Sequence, residues 1–218
     1  MNFKAAIFDL DGTLLDSMDV WEQIDIKFLQ KRGLVPPPGY VKEICARSFE
    51  EAAEYTIELF GLTESIDQII DEWNNMAIYE YANNIRLTSF AENYLSQLKR
   101  MGVKLAIATG LPQKLYYPCL ENNGIYSLFD VICSTEQGTR GKECSDIFQL
   151  AANKLGVETT SCVVFEDVFP AVKSAKQAGM MVFGIYDKYS ADDREKIAAI
   201  ANGYLISFQD APLPEQEV

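Results

Sequence analysis

Residues 3–13 read FKAAIFDLDGT, and this stretch decides the fold. Phe3–Asp9 is a short apolar run that ends in an acid, the pattern of a parallel strand buried on both faces. Asp9-Leu10-Asp11-Gly12-Thr13 follows without a break, so two carboxylates and a hydroxyl stand at the carboxyl end of that strand. In open α/β sheets this is the end at which ligands sit.

Outward from this stretch the pattern first turns helical. Met18, Trp21, Ile24 and Phe28 recur at helical spacing and predict a helix over 17–32, stopped by Gly33. Pro36-Pro37-Pro38 forbids its continuation. Ser48-Phe49-Glu50-Glu51 reads as a capping box opening a helix that runs to Gly61. Ile66, Ile69, Ile70, Trp73, Met76 and Ala77 predict another over 64–83. No strand pattern occurs between 17 and 84.

Beyond this block, strands and helices alternate. Ser89 and Glu92 read as a second capping box, for a helix ending at Gly102. Strands are expected at Val103–Thr109, Asp130–Cys133, Cys162–Phe165, Met181–Ile185 and near Tyr204–Ile206. Helices over 112–123, 145–155, 168–178 and 190–201 separate them, and the Pro- and Glu-rich tail Gln209–Val218 is expected to be loose. The fold class is therefore α/β: a doubly wound parallel sheet with an inserted all-helical domain. Residues 1–16 and 85–218 form the sheet domain, and 17–84 form the insert.

Composition narrows the chemistry. The chain has 218 residues, with 19 Lys+Arg against 32 Asp+Glu and a net charge of −13. Such a surface has no general attraction for a nucleic-acid polymer or an anionic membrane. There is no histidine, which excludes a Ser-His-Asp triad, a Cys-His dyad and imidazole metal ligands. Cys45, Cys119, Cys133, Cys144 and Cys162 are scattered and form no C-x-x-C pair, so they read as reduced thiols and not as a zinc site. No apolar run approaches the ~20 residues of a membrane span. The expectation is a cytoplasmic, monomeric protein whose acid–base chemistry uses carboxylates.

The strand ends carry that chemistry. Asp9, Asp11 and Thr13 follow the first strand, Thr109-Gly110 ends the second, Gly141-Lys142 lies in the loop after the third, and Glu166-Asp167 ends the fourth. If these strands are neighbours, four carboxylates and one ammonium face one small volume. Carboxylates so close cannot all stay ionised unaided. A hard divalent cation such as Mg²⁺ resolves the conflict, being held by carboxylates, waters and a phosphate oxygen. Lys142, the threonine hydroxyl and the Gly110 amide then suit the other phosphate oxygens.

Asp9-Leu10-Asp11-Gly12-Thr13-Leu14-Leu15-Asp16-Ser17 resembles the first motif of the haloacid dehalogenase (HAD) superfamily of phosphatases and phosphomutases. Thr109-Gly110, Gly141-Lys142 with Asp146-Ile147-Phe148, and Val164-Phe165-Glu166-Asp167 follow in that family's order, and Ala171–Met180 resembles its next helix. The insert resembles the small helical cap of the β-phosphoglucomutase-like branch. The resemblance implies a Rossmann-like core and a Mg²⁺-dependent phosphatase of small phosphorylated metabolites. It implies that Asp9 is the nucleophile, becoming an aspartyl phosphate, and Asp11 the general acid and base. It implies that Thr109, Gly110 and Lys142 bind the phosphoryl group, and that Asp9, Asp11 through its carbonyl, Glu166 and Asp167 hold the metal. Asp16 reads as a cap or hinge residue.

The departures bear on the substrate. Where β-phosphoglucomutase has a cap histidine this chain has Trp21, and where that enzyme clamps a second phosphate with arginine this chain has Phe49. Hydrolysis is therefore expected before mutation of a hexose phosphate, which is the alternative; a non-enzymatic phosphate-binding protein is a third. Trp21, Arg47 and Phe49 are the candidate substrate contacts of the cap.

Overall fold

The computed structural model describes residues 1–45, 47, 49–137 and 141–215. The chain forms two compact units, Met1–Met18 with Ile85–Val218, and Asp19–Asn84. In the first, six parallel strands make one sheet: β1 (Ala5–Phe8), β2 (Lys104–Thr109), β3 (Val131–Ser134), β4 (Cys162–Glu166), β5 (Met181–Ile185) and β6 (Gly203–Leu205). Their order is β3-β2-β1-β4-β5-β6, with every neighbouring pair parallel. β1 lies between β2 and β4, which is why all four of its residues are apolar and buried. The register sets Phe8 against Ile107 on one side and Phe165 on the other. The strand ends bearing Asp9, Thr109 and Glu166 are thereby neighbours, as the doubly wound reading requires.

The two faces of the sheet are built from alternate residues. On one face Phe8 stacks on Phe165 at 4.9 Å, and Tyr94 and Phe208 complete the aromatic cluster. On the other, Ile7 and Val164 join Phe148, Ala151 and Val172.

The second unit holds α1 (Val20–Gln30), α2 (Tyr40–Cys45), α3 (Phe49–Phe60) and α4 (Ile66–Asn83), with no strand among its described residues. Val20, Ile24, Phe28 and Leu29 of α1 and Ile69, Trp73 and Ala77 of α4 are buried in it. Arg32 bonds Glu64 and Glu72, and Ser65 forms a complete capping box with Gln68. Two details differ from the sequence reading. α1 begins at Val20, not at residue 17, and its N-cap position is Asp19, so Asp16 lies outside the cap; the Asp16 N–H donates to the Arg86 carbonyl. α2 was not anticipated, since YVKEIC is too short to show a period. The capping box at Ser48 and the side chain of Cys45 lie outside the described residues.

The sheet is flanked by α5 (Ala91–Arg100), α6 (Gln113–Asn122), α7 (Asp146–Leu155), α8 (Phe169–Gln177) and α9 (Arg194–Ile200). The capping box expected at Ser89 does not form. Phe90 precedes α5 at the N-cap position in the left-handed conformation (φ 65°), which displaces Ser89 from the cap, and the Ala91 N–H is taken by the Thr88 carbonyl. The tail is not loose as far as residue 215. Tyr94 Oη donates to the Pro212 carbonyl at 2.6 Å, Phe208 is buried, and Glu215 pairs with the Met1 amino group at 2.7 Å. Among the described residues no helix is long and apolar enough to cross a membrane.

Candidate active site

Three buried carboxylates meet at the carboxyl ends of β1 and β4. Oxygens of Asp9, Glu166 and Asp167 lie within 4.8 Å of one another. Lys142 enters from the loop after β3, and its ammonium sits 2.5 Å from Asp9 Oδ1 and 2.6 Å from Glu166 Oε2. Residues far apart in the chain thus share one cation. The loop is held in place from α8, where Ser174 Oγ donates to the Lys142 carbonyl at 2.6 Å. Sequence reasoning missed Ser174, which reads there as an ordinary small helical residue.

The turn after β1 is wound tightly. The Thr13 and Leu15 amides both donate to the Leu10 carbonyl, and the Gly12 amide donates to Leu15. Gly12 has φ +77°, and a Cβ on it would stand 2.7 Å from Asp167 Oδ2. Glycine is required here twice over, by its backbone conformation and by the close approach of Asp167. Thr13 Oγ1 donates to Asp167 Oδ1 at 3.4 Å. Asp11 is not one of these three carboxylates; its Oδ1 accepts from Ser17 Oγ at 2.5 Å. Ser17 is the second residue that sequence reasoning assigned no role.

At the end of β2, the Thr109 hydroxyl oxygen accepts from the Leu111 amide at 3.1 Å, which leaves its own proton to be donated outward. Gly110 is exposed, and its carbonyl accepts from Thr135. Trp21, Arg47 and Phe49 belong to the helical unit. Trp21 and Phe49 meet edge to face at 5.4 Å, while Arg47 bonds Glu43.

The electrostatics of the cluster are unbalanced. Burial, opposed by the attraction of Asp9 and Glu166, leaves the Lys142 ammonium more basic than an ordinary lysine, so it stays charged. Burial and the charge of Asp9 raise the Glu166 carboxyl, against the pull of Lys142. Burial and the charges of Glu166 and Asp9 raise Asp167 likewise. One ammonium does not neutralise three carboxylates, and Asp167 Oδ2 is buried with no hydrogen-bond partner. An orphaned carboxylate oxygen beside two others is the donor set of a hard divalent cation, so these residues fit a metal ion.

The sequence profile of the haloacid dehalogenase-like hydrolases matches residues 6–185, which takes in all four strand-end motifs. The chain belongs to the haloacid dehalogenase-like hydrolase family. Among curated members it is 27% identical over 191 residues to a validoxylamine A 7'-phosphate phosphatase of Streptomyces hygroscopicus subsp. limoneus, covering 87% of this chain and 89% of that one. It is 28% identical over 187 residues to hexitol phosphatase A of Escherichia coli, covering 85% and 84%. In architecture it resembles the phosphate complex of CbbY from Rhodobacter sphaeroides, with TM-score 0.76 and 21% identity over 95% of this chain and 96% of that one. This HAD-like hydrolase therefore has relatives named as phosphatases of phosphorylated small molecules along most of its length.

Proposed function

We propose that this protein is a Mg²⁺-dependent phosphatase that hydrolyses a small phosphorylated metabolite through an aspartyl-phosphate intermediate. The observation that carries the reading is the buried cluster of Asp9, Glu166 and Asp167, with Lys142 ion-paired to Asp9 and Glu166, inside a chain of the HAD-like hydrolase family. In this reading residues 1–16 and 85–218 are the catalytic core and 17–84 the cap, with Trp21, Arg47 and Phe49 as cap contacts for substrate. Cytoplasmic location and a monomeric state complete it; Cys119, Cys133, Cys144 and Cys162 are free thiols.

Asp9 Oδ attacks phosphorus in line with the leaving oxygen. The new P–O bond makes an acyl phosphate on Asp9, and the bond to the leaving alcohol breaks. Asp11 gives the leaving oxygen its proton and then takes one from the water that attacks the acyl phosphate, which restores both acids. The hydrogen bond from Ser17 fixes the Asp11 carboxyl for both transfers. Lys142 holds Asp9 by one oxygen and, with the Thr109 hydroxyl and the Gly110 amide, binds the phosphoryl oxygens. Asp9, the Asp11 carbonyl, Glu166 and Asp167 would hold the metal, which supplies positive charge against the phosphoryl oxygens as charge moves in the transition state.

The test is hydrolysis of p-nitrophenyl phosphate and a panel of metabolite phosphates with Mg²⁺ and with EDTA. Turnover is expected only with the metal. Asp9→Asn is expected to lower kcat at least ~10³-fold, since an amide is a poor nucleophile. Turnover indifferent to EDTA, or an active Asp9→Asn, defeats the reading.

A further inference from the structure

Both tryptophans of the chain, Trp21 and Trp73, line one pocket of the helical unit. Its volume is about 240 Å³, and Phe49, Asp25 and Arg47 line it with them. The rings make adjoining walls nearly at right angles: Trp21 and Phe49 meet at 89°, and Phe49 and Trp73 at 78° with centroids 6.2 Å apart.

One carboxyl opens on this apolar space. Asp25 sits in the middle of α1, is 7% exposed, and has no hydrogen bond or ion pair among the described residues. Burial, and then the charge of Glu22 one turn away, push its carboxyl up to about 7. No cation among the described residues of the unit answers it. Arg47 lines the pocket, but its guanidinium is committed to the Glu43 carbonyl and carboxylate and lies 4.4 Å over the Tyr55 ring. Tyr40, which also faces Asp25, is hydrogen-bonded to Thr56 at 2.8 Å.

An acid buried without a partner costs stability, and the apolar stripe Val20–Ile24–Phe28 would close more favourably over a leucine. The pocket lacks the several polar groups that a neutral sugar needs, and Asp25 and Glu22 repel an anion. Three aromatic walls and one carboxyl that no described cation compensates complement an alkylated cation. We propose that this pocket binds an organic ammonium group, its alkyl surface against Trp21, Phe49 and Trp73 and its charge against Asp25. The inference goes beyond the phosphatase reading, since the ammonium is carried either by the alcohol part of the phosphate ester or by a separate small cation.

Because both tryptophans line the pocket, tryptophan emission of the intact protein reports on it. Near pH 8, choline is titrated against 3,3-dimethylbutan-1-ol, its uncharged carbon isostere. A saturable emission change is expected with choline, at least about tenfold tighter than with the alcohol, as a desolvated cation over aromatic rings and beside a carboxylate requires. Asp25→Asn is expected to remove that advantage and leave the weak binding of the alcohol as it was. Equal binding of the two probes, no saturable change with either, or an Asp25→Asn protein that binds choline like the wild type overturns the proposal. The first comparison needs no variant. A second arm compares kcat/KM for phosphocholine and 3,3-dimethylbutyl phosphate. A preference for phosphocholine places the ammonium on the substrate, whereas choline binding without such a preference makes it a separate ligand. Phosphatase activity without choline binding defeats this inference alone, and choline binding without any phosphate turnover defeats the phosphatase reading alone.

Discussion

Asp9, Glu166 and Asp167 in the sheet unit are buried together with Lys142 ion-paired to the first two, while Asp25 in the helical unit is buried among aromatic rings with no cation beside it among the described residues. Both arrangements leave negative charge in a place that disfavours it. In the sheet unit the chain supplies part of the compensation and reserves one orphaned oxygen, Asp167 Oδ2, for the rest. In the helical unit its described residues supply none. An internal cation makes a cluster of acids tolerable before any ligand arrives, whereas an acid without one keeps its proton until something replaces it.

The largest effect should come from breaking the first arrangement. Lys142→Met leaves Asp9 and Glu166 uncompensated, and a loss of about 3–5 kcal/mol in metal-free stability is expected from removing one partner of a buried ion pair. Urea unfolding with EDTA measures it, and added Mg²⁺ should recover part of the loss in the variant. An unchanged midpoint would mean that Lys142 does not balance the cluster.

The second arrangement predicts the opposite sign. Asp25 holds its proton to about pH 7 in the native protein, against an ordinary value of 3.8. Between those values the native state binds more protons than the unfolded one, so stability from this group is complete below about pH 4 and is lost as pH rises through 7. Full desolvation would make the swing roughly 4 kcal/mol, and access from the pocket reduces it to about 2 kcal/mol. Asp25→Asn should therefore stabilise the protein by about 2 kcal/mol at pH 8 and change little at pH 4, as read from urea midpoints at both pH values. Choline at saturation should remove part of that difference.

The smallest effect sharpens the first arrangement. Gly12→Ala forces a Cβ against Asp167 Oδ2 at a left-handed backbone position and should cost about 1–2 kcal/mol. Its informative readout is Mg²⁺ affinity by calorimetry, which should fall because Asp167 must move.

The sheet was legible because β1, β4 and β5 are short apolar runs that end at or just before an acid, and because ligand-bearing residues fall at the ends of β1 and β4. The charge conflict at those ends was legible too, since it needs only that the strands be neighbours. Pairings were not. Lys142 meets Asp9 and Glu166 through the return of three separate loops, and Ser17 reaches Asp11 only because the turn after β1 doubles back. Capping boxes read from residue type alone failed at Ser89 and Glu92, where the Thr88 carbonyl had already taken the first amide, although the same chemistry forms at Ser65 and Gln68. Asp25 left a signal that went unread: an acid between Ile24 and Phe28 on the buried stripe of α1, four residues after Trp21.

The place of β1 in the sheet has a consequence for biosynthesis. Its neighbours are β2, which begins at Lys104, and β4, which begins at Cys162. At about 5–20 residues per second, the ribosome needs roughly 8–30 s after β1 is made to deliver the second of them. Through that interval Ala5–Phe8, one of the two central strands of the finished sheet, has an open edge. The helical unit, encoded between β1 and β2, can fold in that interval, so the strand that carries Asp9 is among the first segments synthesised and among the last enclosed.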